Sequence, residues 1–391
     1  MIKAGICGFA HGHVFSFTKE WLRAPEKYDV AVTGAWDHDS ARLRESLEKN
    51  YPGVDIRAYE SLDELLKSDI DAVVVTSETA YHCDICEKAA KAKKNIILYK
   101  PMALHMAEAD RIVKAVEENG VRLTMGWQMR ADKQNARIRE IAQNGELGKV
   151  CLFRRRHGLA THTWANFENT WHVNPVMNRD IFADDSAHPI NLMQWIFGMP
   201  ARVRAFCTTG KYHHIEVEDD ATIYAEYDSG ATAAFITSTG ECPGTNRLEI
   251  SGDRGKLLIE DGRLRFWELA EPERAFCFSS REGFVMPETR EWTMQPDAPE
   301  TAHNGILRNF ADAVLHGVPL LAPGEEGIHQ VALTNAAYLS AWTDDWVSLP
   351  VDAAAYEKQL RARIAGSAKK ASPTAGEIPS GQYSPRWNIR W

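Results

Sequence analysis

Residues 2–13 read Ile2-Lys3-Ala4-Gly5-Ile6-Cys7-Gly8-Phe9-Ala10-His11-Gly12-His13, and the order of residue types in them decides the fold. The first six predict a short buried strand. The next six form a glycine-rich turn, and beyond it Val14, Trp21 and Leu22 fall at helical spacing. Strand, glycine turn and helix in that order build the phosphate-binding corner of a dinucleotide fold. Small residues let the backbone approach a pyrophosphate, and the helix N-terminus offers unpaired N–H groups and the positive end of a dipole. Gly8, Phe9, Ala10, His11, Gly12 and His13 are therefore candidate cofactor-binding residues. Ala10 and His13 stand where the usual fingerprint has its second and third glycines. A plain tight turn is the competing explanation.

Outward from that corner the chain alternates. A second strand over 30–36 ends at Asp37, where a carboxylate can take the hydroxyls of an adenosine ribose. A negative charge there disfavours an additional 2′-phosphate, so the expected cofactor is NAD in preference to NADP. Asp37 can also cap the helix that starts near Ser40. Ser61-Leu62-Asp63-Glu64 opens a short helix with a capping-box pattern. Further strands are predicted over 71–75, 95–98 and 121–125, with helices between them. Their carboxyl ends are Thr76-Ser77-Glu78 and Tyr99-Lys100. Strands alternating with helices over residues 1–125 predict a doubly wound α/β Rossmann domain, with ligands gathered beyond the strand ends.

After Gly126 the rhythm changes. A helix near 133–144 leads into a strand from Val150 to His157, then a tryptophan-rich polar stretch to Asp185 and a helix through Trp195-Ile196-Phe197. Strand-like runs follow in quick succession between 202 and 267, separated by turns such as Asp228-Ser229-Gly230 and Asp261-Gly262. Residues 126–350 therefore predict an α+β domain on a large, mostly antiparallel open sheet, serving substrate binding and oligomerisation. Two helices, over 305–316 and 327–341, close it. Residues 351–391 are expected to form a C-terminal arm, rich in Ser, Pro and Gly from Gly366 onward.

Composition narrows the function classes. With 391 residues, 44% hydrophobic and 25% charged, the chain has room for two ordinary globular domains. A net charge of -9 argues against nucleic acid as the main partner. No apolar run approaches the length of a membrane span, and no secretion leader is read. Seven scattered cysteines fit a reducing, cytoplasmic location, and Cys83-x-x-Cys86 falls inside a helical pattern with no second pair beside it. No metal site is expected.

Two places carry chemistry. Lys100 follows a buried strand and precedes a proline, so its ammonium is aimed from the rigid end of the sheet. Asp184 and His188 lie four apart at the start of a helix and are expected to share one face. Imidazole titrates near neutrality and serves as a general base, while the carboxylate can orient it or hold substrate. Each residue also has an ordinary structural explanation, a solvated lysine or a capping aspartate.

Taken together, these residues resemble the Gfo/Idh/MocA family, named for glucose–fructose oxidoreductase, inositol dehydrogenase and a rhizopine-catabolism protein. The resemblance runs to about Pro350. Gly5 to His13 matches the family's opening turn, and Asp37 its acidic residue after the second strand. Thr76-Ser77-Glu78…His82 is similar to its Thr-Pro-Asn…His, and Tyr99-Lys100-Pro101 to its Glu-Lys-Pro. Gln128 and Arg130 resemble its Asn/Gln…Arg, and Asp184…His188 its Asp-x-x-x-His. Val217-Glu218-Asp219 and the run from Asn309 to Val314 fit later landmarks. The resemblance implies that Lys100, Asp184 and His188 are catalytic, with His188 exchanging the hydroxyl proton. It also implies cofactor contacts from Thr76, Ser77, Glu78, His82, Tyr99, Lys100, Gln128 and Trp171. The implied activity is an NAD-dependent transfer of hydride between a secondary hydroxyl of a sugar, inositol or sugar acid and the nicotinamide, in a homo-oligomer. Relatives that use bound NAD to cleave glycosidic bonds, or that only sense NAD and sugar, are the alternatives. Three departures stand out: Tyr99 for Glu, Ala10 and His13 for turn glycines, and Trp171-His172 for Trp-Arg.

The segment from Arg154 to His172 is read as a polyol pocket. Arg155 and His157 alternate with Arg154 and Arg156, so one pair can face the ligand side of a sheet. Arg130, Arg155, His157, Trp164, His172, Asp184 and His188 are the candidate substrate contacts. Arginine suits a carboxylate or sulfonate on the sugar. A solvated or inter-subunit face is the ordinary alternative for these arginines.

Overall fold

The computed structural model describes residues 1–161, 167–260, 262–295 and 299–368. Strands β1 (Ile2–Cys7), β2 (Val30–Trp36), β3 (Arg57–Ala58), β4 (Ala72–Val75), β5 (Asn95–Leu98) and β6 (Leu123–Met125) form the first sheet. All of its pairings are parallel, in the order β3-β2-β1-β4-β5-β6. Helices α1 (His13–Arg23), α2 (Pro25–Tyr28), α3 (Ser40–Asn50), α4 (Leu62–Lys67), α5 (His82–Lys91) and α6 (Met106–Asn119) supply the connections. The uninterrupted apolar run of β4, buried at every position, is what a strand covered on both faces requires. This is the expected doubly wound sheet, with the two-residue β3 added. β3 was not legible because two exposed residues, Arg57 and Ala58, are too short a run to show an alternation.

The local signals of the helices hold with one exchange. Asp39, not Asp37, caps α3, accepting from the Ala41 and Arg42 N–H groups at 2.9 and 3.1 Å. Ser61 caps α4 through the Glu64 N–H at 3.2 Å. Cys83 and Cys86 are buried in α5, and all seven cysteines are free.

Helix α7 (Lys133–Gln143) leads to a nine-stranded second sheet, ordered β14-β13-β12-β11-β7-β10-β9-β8-β15. Its strands are β7 (Val150–Gly158), β8 (Arg202–Thr209), β9 (Glu218–Glu226), β10 (Thr232–Ser238), β11 (Thr245–Gly252), β12 (Gly255–Glu260), β13 (Arg263–Leu269), β14 (Thr289–Met294) and β15 (Val347–Ser348). Every pairing is antiparallel except β7 with β10. Helix α8 (Ala187–Phe197), α9 (Glu273–Ser279), α10 (Pro299–His316), α11 (Gly327–Thr343) and α12 (Ala353–Gly366) complete the chain.

Two of these helices depart from the sequence reading. α10 returns to the first layer: its Ile306, Leu307, Phe310 and Ala311 belong to the hydrophobic core of the parallel sheet. α12 falls inside the span read as an arm, yet Tyr356 and Leu360 are buried in the core of the second sheet with α8 and α11. Burying two such side chains contributes roughly 1.5–3 kcal/mol each. Residues 369–391 lie outside the described residues.

Candidate active site

The parallel sheet reverses its strand order between β1 and β4, the place where open α/β sheets bind ligands in a crevice beyond the strand ends. Gly8 ends β1 with φ +94°, and a Cβ on it would come within 2.6 Å of the Ser77 backbone. Only glycine lets the turn sit this close to the end of β4. The His11 N–H donates to the Thr76 carbonyl at 3.0 Å, and the Thr76 hydroxyl to the Gly8 carbonyl at 2.7 Å. Gly8 to His13 is thus fastened to Thr76 and Ser77 in one rim. Ser77 Oγ is buried there without a protein partner, and so is Gln128 Oε1 in the turn after β6. Buried polar atoms of this kind ask for a ligand, and at a Rossmann switch point they fit a dinucleotide.

Next to this rim is a cleft of about 620 Å³ lined by Trp36, Asp37, His38, Tyr81 and Ile85, among others. It has the position and size for an adenosine. Asp37 is buried at its edge, but its carboxylate is already engaged. Arg42, one turn into α3, donates to Oδ2 at 2.8 Å and to Oδ1 at 2.7 Å. The Phe9 and Asp39 N–H groups donate as well, at 2.7 and 2.8 Å. Arg42 also reaches Glu78 at 2.8 Å, and His38 meets Glu78 at 2.9 Å. Burial pushes the Glu78 carboxyl up, but His38 and Arg42 outweigh it and bring it down to about 2. Asp37 and Glu78 therefore confront one guanidinium. Neither Arg42 nor His38 was singled out in the sequence; Arg42 sits at i+5 from Asp37, where the first turn of the helix folds back over the strand end.

On the other side of the rim lie the groups expected to do chemistry. Lys100, at the end of β5, is buried and ion-paired with Asp184 Oδ1, and its Nζ also donates to the Asp184 carbonyl at 2.9 Å. His172 Nδ1 donates to Asp184 Oδ2, and Asn178 Nδ2 does so at 2.9 Å. Burial raises the Asp184 carboxyl, yet Lys100 and His172 dominate and hold it well below the usual range. His172 occupies the position where the family pattern has arginine, and it keeps a donor on the carboxylate. Asn178, another residue without a sequence signal, accepts from Thr79 Oγ1 at 3.0 Å and so ties the first layer to Asp184.

The expectation that Asp184 and His188 share a helical turn needs correction. Asp184 lies in a π-helical turn, Asp180–Asp185, and His188 in α8, with the break at Ser186. The wider turn rotates Asp184 towards Lys100. The His188 ring stands edge-on to Tyr99, with centroids 6.4 Å apart. Both of its nitrogens are buried without a partner. Burial, then Lys100 and His303, hold this imidazole well below its ordinary pKa, so it is neutral. His11 and His13 pack their rings on Tyr99 at 4.3 and 4.6 Å, and Trp171 donates from Nε1 to the Ala10 carbonyl at 3.0 Å. His303 of α10 joins them 6.0 Å from His13; no motif in the sequence marked it.

Two expected site residues are placed differently. His82 clamps two backbone carbonyls, Pro101 at 2.9 Å and Ser77 at 3.0 Å, and so positions the two loops instead of facing the crevice. Arg130 is drawn away from the crevice by Glu326 at 2.5 Å and Asn191 at 3.0 Å, between the rings of Trp127 and Trp195. Trp164 lies outside the described residues. Arg155 and His157 do face inward and are buried, whereas Arg156 is exposed on the outer face of β7. Among the described residues no cluster of His, Cys, Asp or Glu is arranged to hold a metal ion.

Residues 2–127 match the family described as "Oxidoreductase family, NAD-binding Rossmann fold", and residues 135–258 match the GFO/IDH/MocA C-terminal domain. The chain belongs to the Gfo/Idh/MocA family. It is an oxidoreductase whose first layer is an NAD-binding Rossmann fold. It is 27% identical over 343 residues to a myo-inositol 2-dehydrogenase of Thermotoga maritima, covering 86% of this chain and 95% of that one. It is 26% identical over 357 residues to a D-apiose dehydrogenase of Paraburkholderia graminis, covering 86% of each. Among solved folds, the WlbA dehydrogenase of Chromobacterium violaceum, in complex with NADH and UDP-GlcNAcA, superposes with a TM-score of 0.74 at 20% identity. That likeness spans 90% of this Gfo/Idh/MocA chain and 96% of the other. No described helix is long and apolar enough to cross a membrane.

Proposed function

We propose that this protein is a sugar or polyol dehydrogenase that uses NAD. The observation that carries the reading is the neutral, unpartnered His188 imidazole beside a Lys100 ammonium fixed by Asp184. A secondary hydroxyl in the crevice donates its proton to His188 while Lys100 hydrogen-bonds the same oxygen and stabilises the charge that develops there. When bound, a nicotinamide cofactor would supply the hydride acceptor for the carbinol carbon. Asp184, held ionised, keeps Lys100 aimed; His172 and Asn178 keep Asp184 from turning. Gly8–His13 with Thr76 and Ser77 would hold the pyrophosphate, and Tyr99, Gln128 and Trp171 the nicotinamide side.

NAD is preferred over NADP because two buried carboxylates, Asp37 and Glu78, stand where a 2′-phosphate would lie, and the cations beside them, Arg42 and His38, are already paired with them. The protein works in the cytoplasm as a homo-oligomer. Phe206 and Ile236 on the uncovered face of the second sheet, 58% and 46% exposed, support a subunit contact there. Incubating the enzyme with NAD and a panel of inositols, aldoses and sugar acids tests the activity. Accumulation of NADH supports a dehydrogenase; cleavage of a glycoside without net NADH replaces it with the redox-assisted glycosidase, and ligand binding without either with a sensor.

A further inference from the structure

The inner face of β7 carries Phe153, Arg155 and His157, and the register sets Arg155 between Phe235 of β10 and Leu248 of β11. An arginine flanked by two apolar side chains in a sheet core is unusual unless something answers its charge. Two other deeply buried arginines have an answer: Arg130 pairs with Glu326 and Arg179 with Glu218. Arg155 is 5% exposed and makes no hydrogen bond or ion pair with any described residue. Its Nε and Nη2 are both enclosed without a partner. Burial draws this guanidinium down only to about 10, so it stays charged at neutral pH. An unanswered buried cation destabilises the fold, and an apolar residue would fill the same space at lower cost.

The position of Arg155 says what the answer is. His157, next along the same face, feels the charges of both Arg155 and Lys100 and is hydrogen-bonded to the backbone of Asp185. Arg155 therefore lies on the second sheet, two residues along the same buried face of β7 from a histidine that feels Lys100. We propose that Arg155 binds a carboxylate carried by the substrate, so that the enzyme acts on a sugar acid and not on a neutral sugar or inositol. This rests on the dehydrogenase reading above. A planar carboxylate satisfies two guanidinium N–H groups in parallel. A phosphate dianion would call for a second cation close by, and burial is the sole influence on the Arg155 guanidinium.

The test compares D-glucuronate, D-galacturonate and D-gluconate with D-glucose, D-galactose, myo-inositol and D-glucose 6-phosphate, each with NAD. The wild-type enzyme is expected to favour an acid over its neutral counterpart at least 100-fold in kcat/KM. Arg155→Gln should erase that preference, chiefly through KM, and Arg155→Lys should retain part of it. Arg155→Met should raise the melting temperature of the ligand-free protein, where loss of a merely structural arginine would lower it. Preference for a neutral sugar or for the phosphate ester, or an acid preference that survives in Arg155→Gln, overturns the proposal. If none of these compounds reduces NAD, the dehydrogenase reading fails and binding decides the carboxylate site. Thermal stabilisation by galacturonate in the wild type but not in Arg155→Gln supports it; equal stabilisation refutes it.

Discussion

Lys100 and His172 divide the Asp184 carboxylate between them, the ammonium on one oxygen and the imidazole on the other. The lysine comes from the end of a parallel strand and the histidine from the loop before the π-helical turn, so a single carboxylate joins the two layers at the reacting centre. A neutral His188 stands beside this array, where we propose it accepts the proton.

His188→Asn keeps a polar side chain of similar size but cannot take up a proton near neutrality. We expect kcat to fall by about 10²–10⁴, with NADH binding unchanged in a fluorescence titration. A variant that retains more than a tenth of the wild-type kcat would remove His188 from the mechanism.

Stability should fall on mild acidification. His13, His157, His188 and His303 are all depressed, first by burial, and His303 is down to about 4. The unfolded chain binds their protons near pH 6.5 while the folded chain refuses them, so their contribution is full above that value and drains as pH falls. For His303 alone the loss between pH 6.5 and pH 5 is about 2 kcal/mol. His38, raised by its bond to Glu78, works in the opposite sense but is only half buried. Asp184 and Glu78 are depressed carboxylates whose contribution drains only below about pH 4, outside this window. Urea unfolding at pH 7 and pH 5 measures the difference; equal midpoints would contradict it.

Gly8→Ala places a methyl group in a left-handed backbone region and against Ser77. The cost is expected to reach at least about 2 kcal/mol, with NAD affinity falling alongside stability. Calorimetry and NADH titration of the purified variant check both.

Asp37→Ser removes one of the two carboxylates that hold Arg42. The ratio of kcat/KM for NAD over NADP should drop at least tenfold, equivalent to about 1.4 kcal/mol. An unchanged ratio would show that Arg42 stays locked on Glu78 and plays no part in the choice.

Much of this was legible because it depends on local pattern. Strand–turn–helix order at Gly8, the buried run of β4 and the lysine after β5 are short-range signals, and they place the crevice. Asn178 and His303 were not legible, because each reaches the site through tertiary packing with no motif around it; Arg42 lies five residues past Asp37, but its residue type alone does not show that the helix turns it back onto the strand end. Arg130 and His82 carry the family's residue types, yet Glu326 and two backbone carbonyls claim them. A chain position cannot reveal that a side chain's donors are spent elsewhere. The π-helical turn at Asp184 escaped for a related reason: i, i+4 counting assumes 3.6 residues per turn, and one inserted residue defeats it.

The return of α10 to the parallel layer has a practical consequence for anyone recombining these proteins. The nucleotide-binding lobe is stitched from two distant stretches, one at the start of the chain and one near residue 310. A chimera joined at the obvious boundary near residue 126 would pair a foreign wall with a native floor, setting a mismatched Phe310 in the core and a mismatched His303 beside His13. Swaps should exchange both stretches together, and a lone N-terminal fragment should be insoluble.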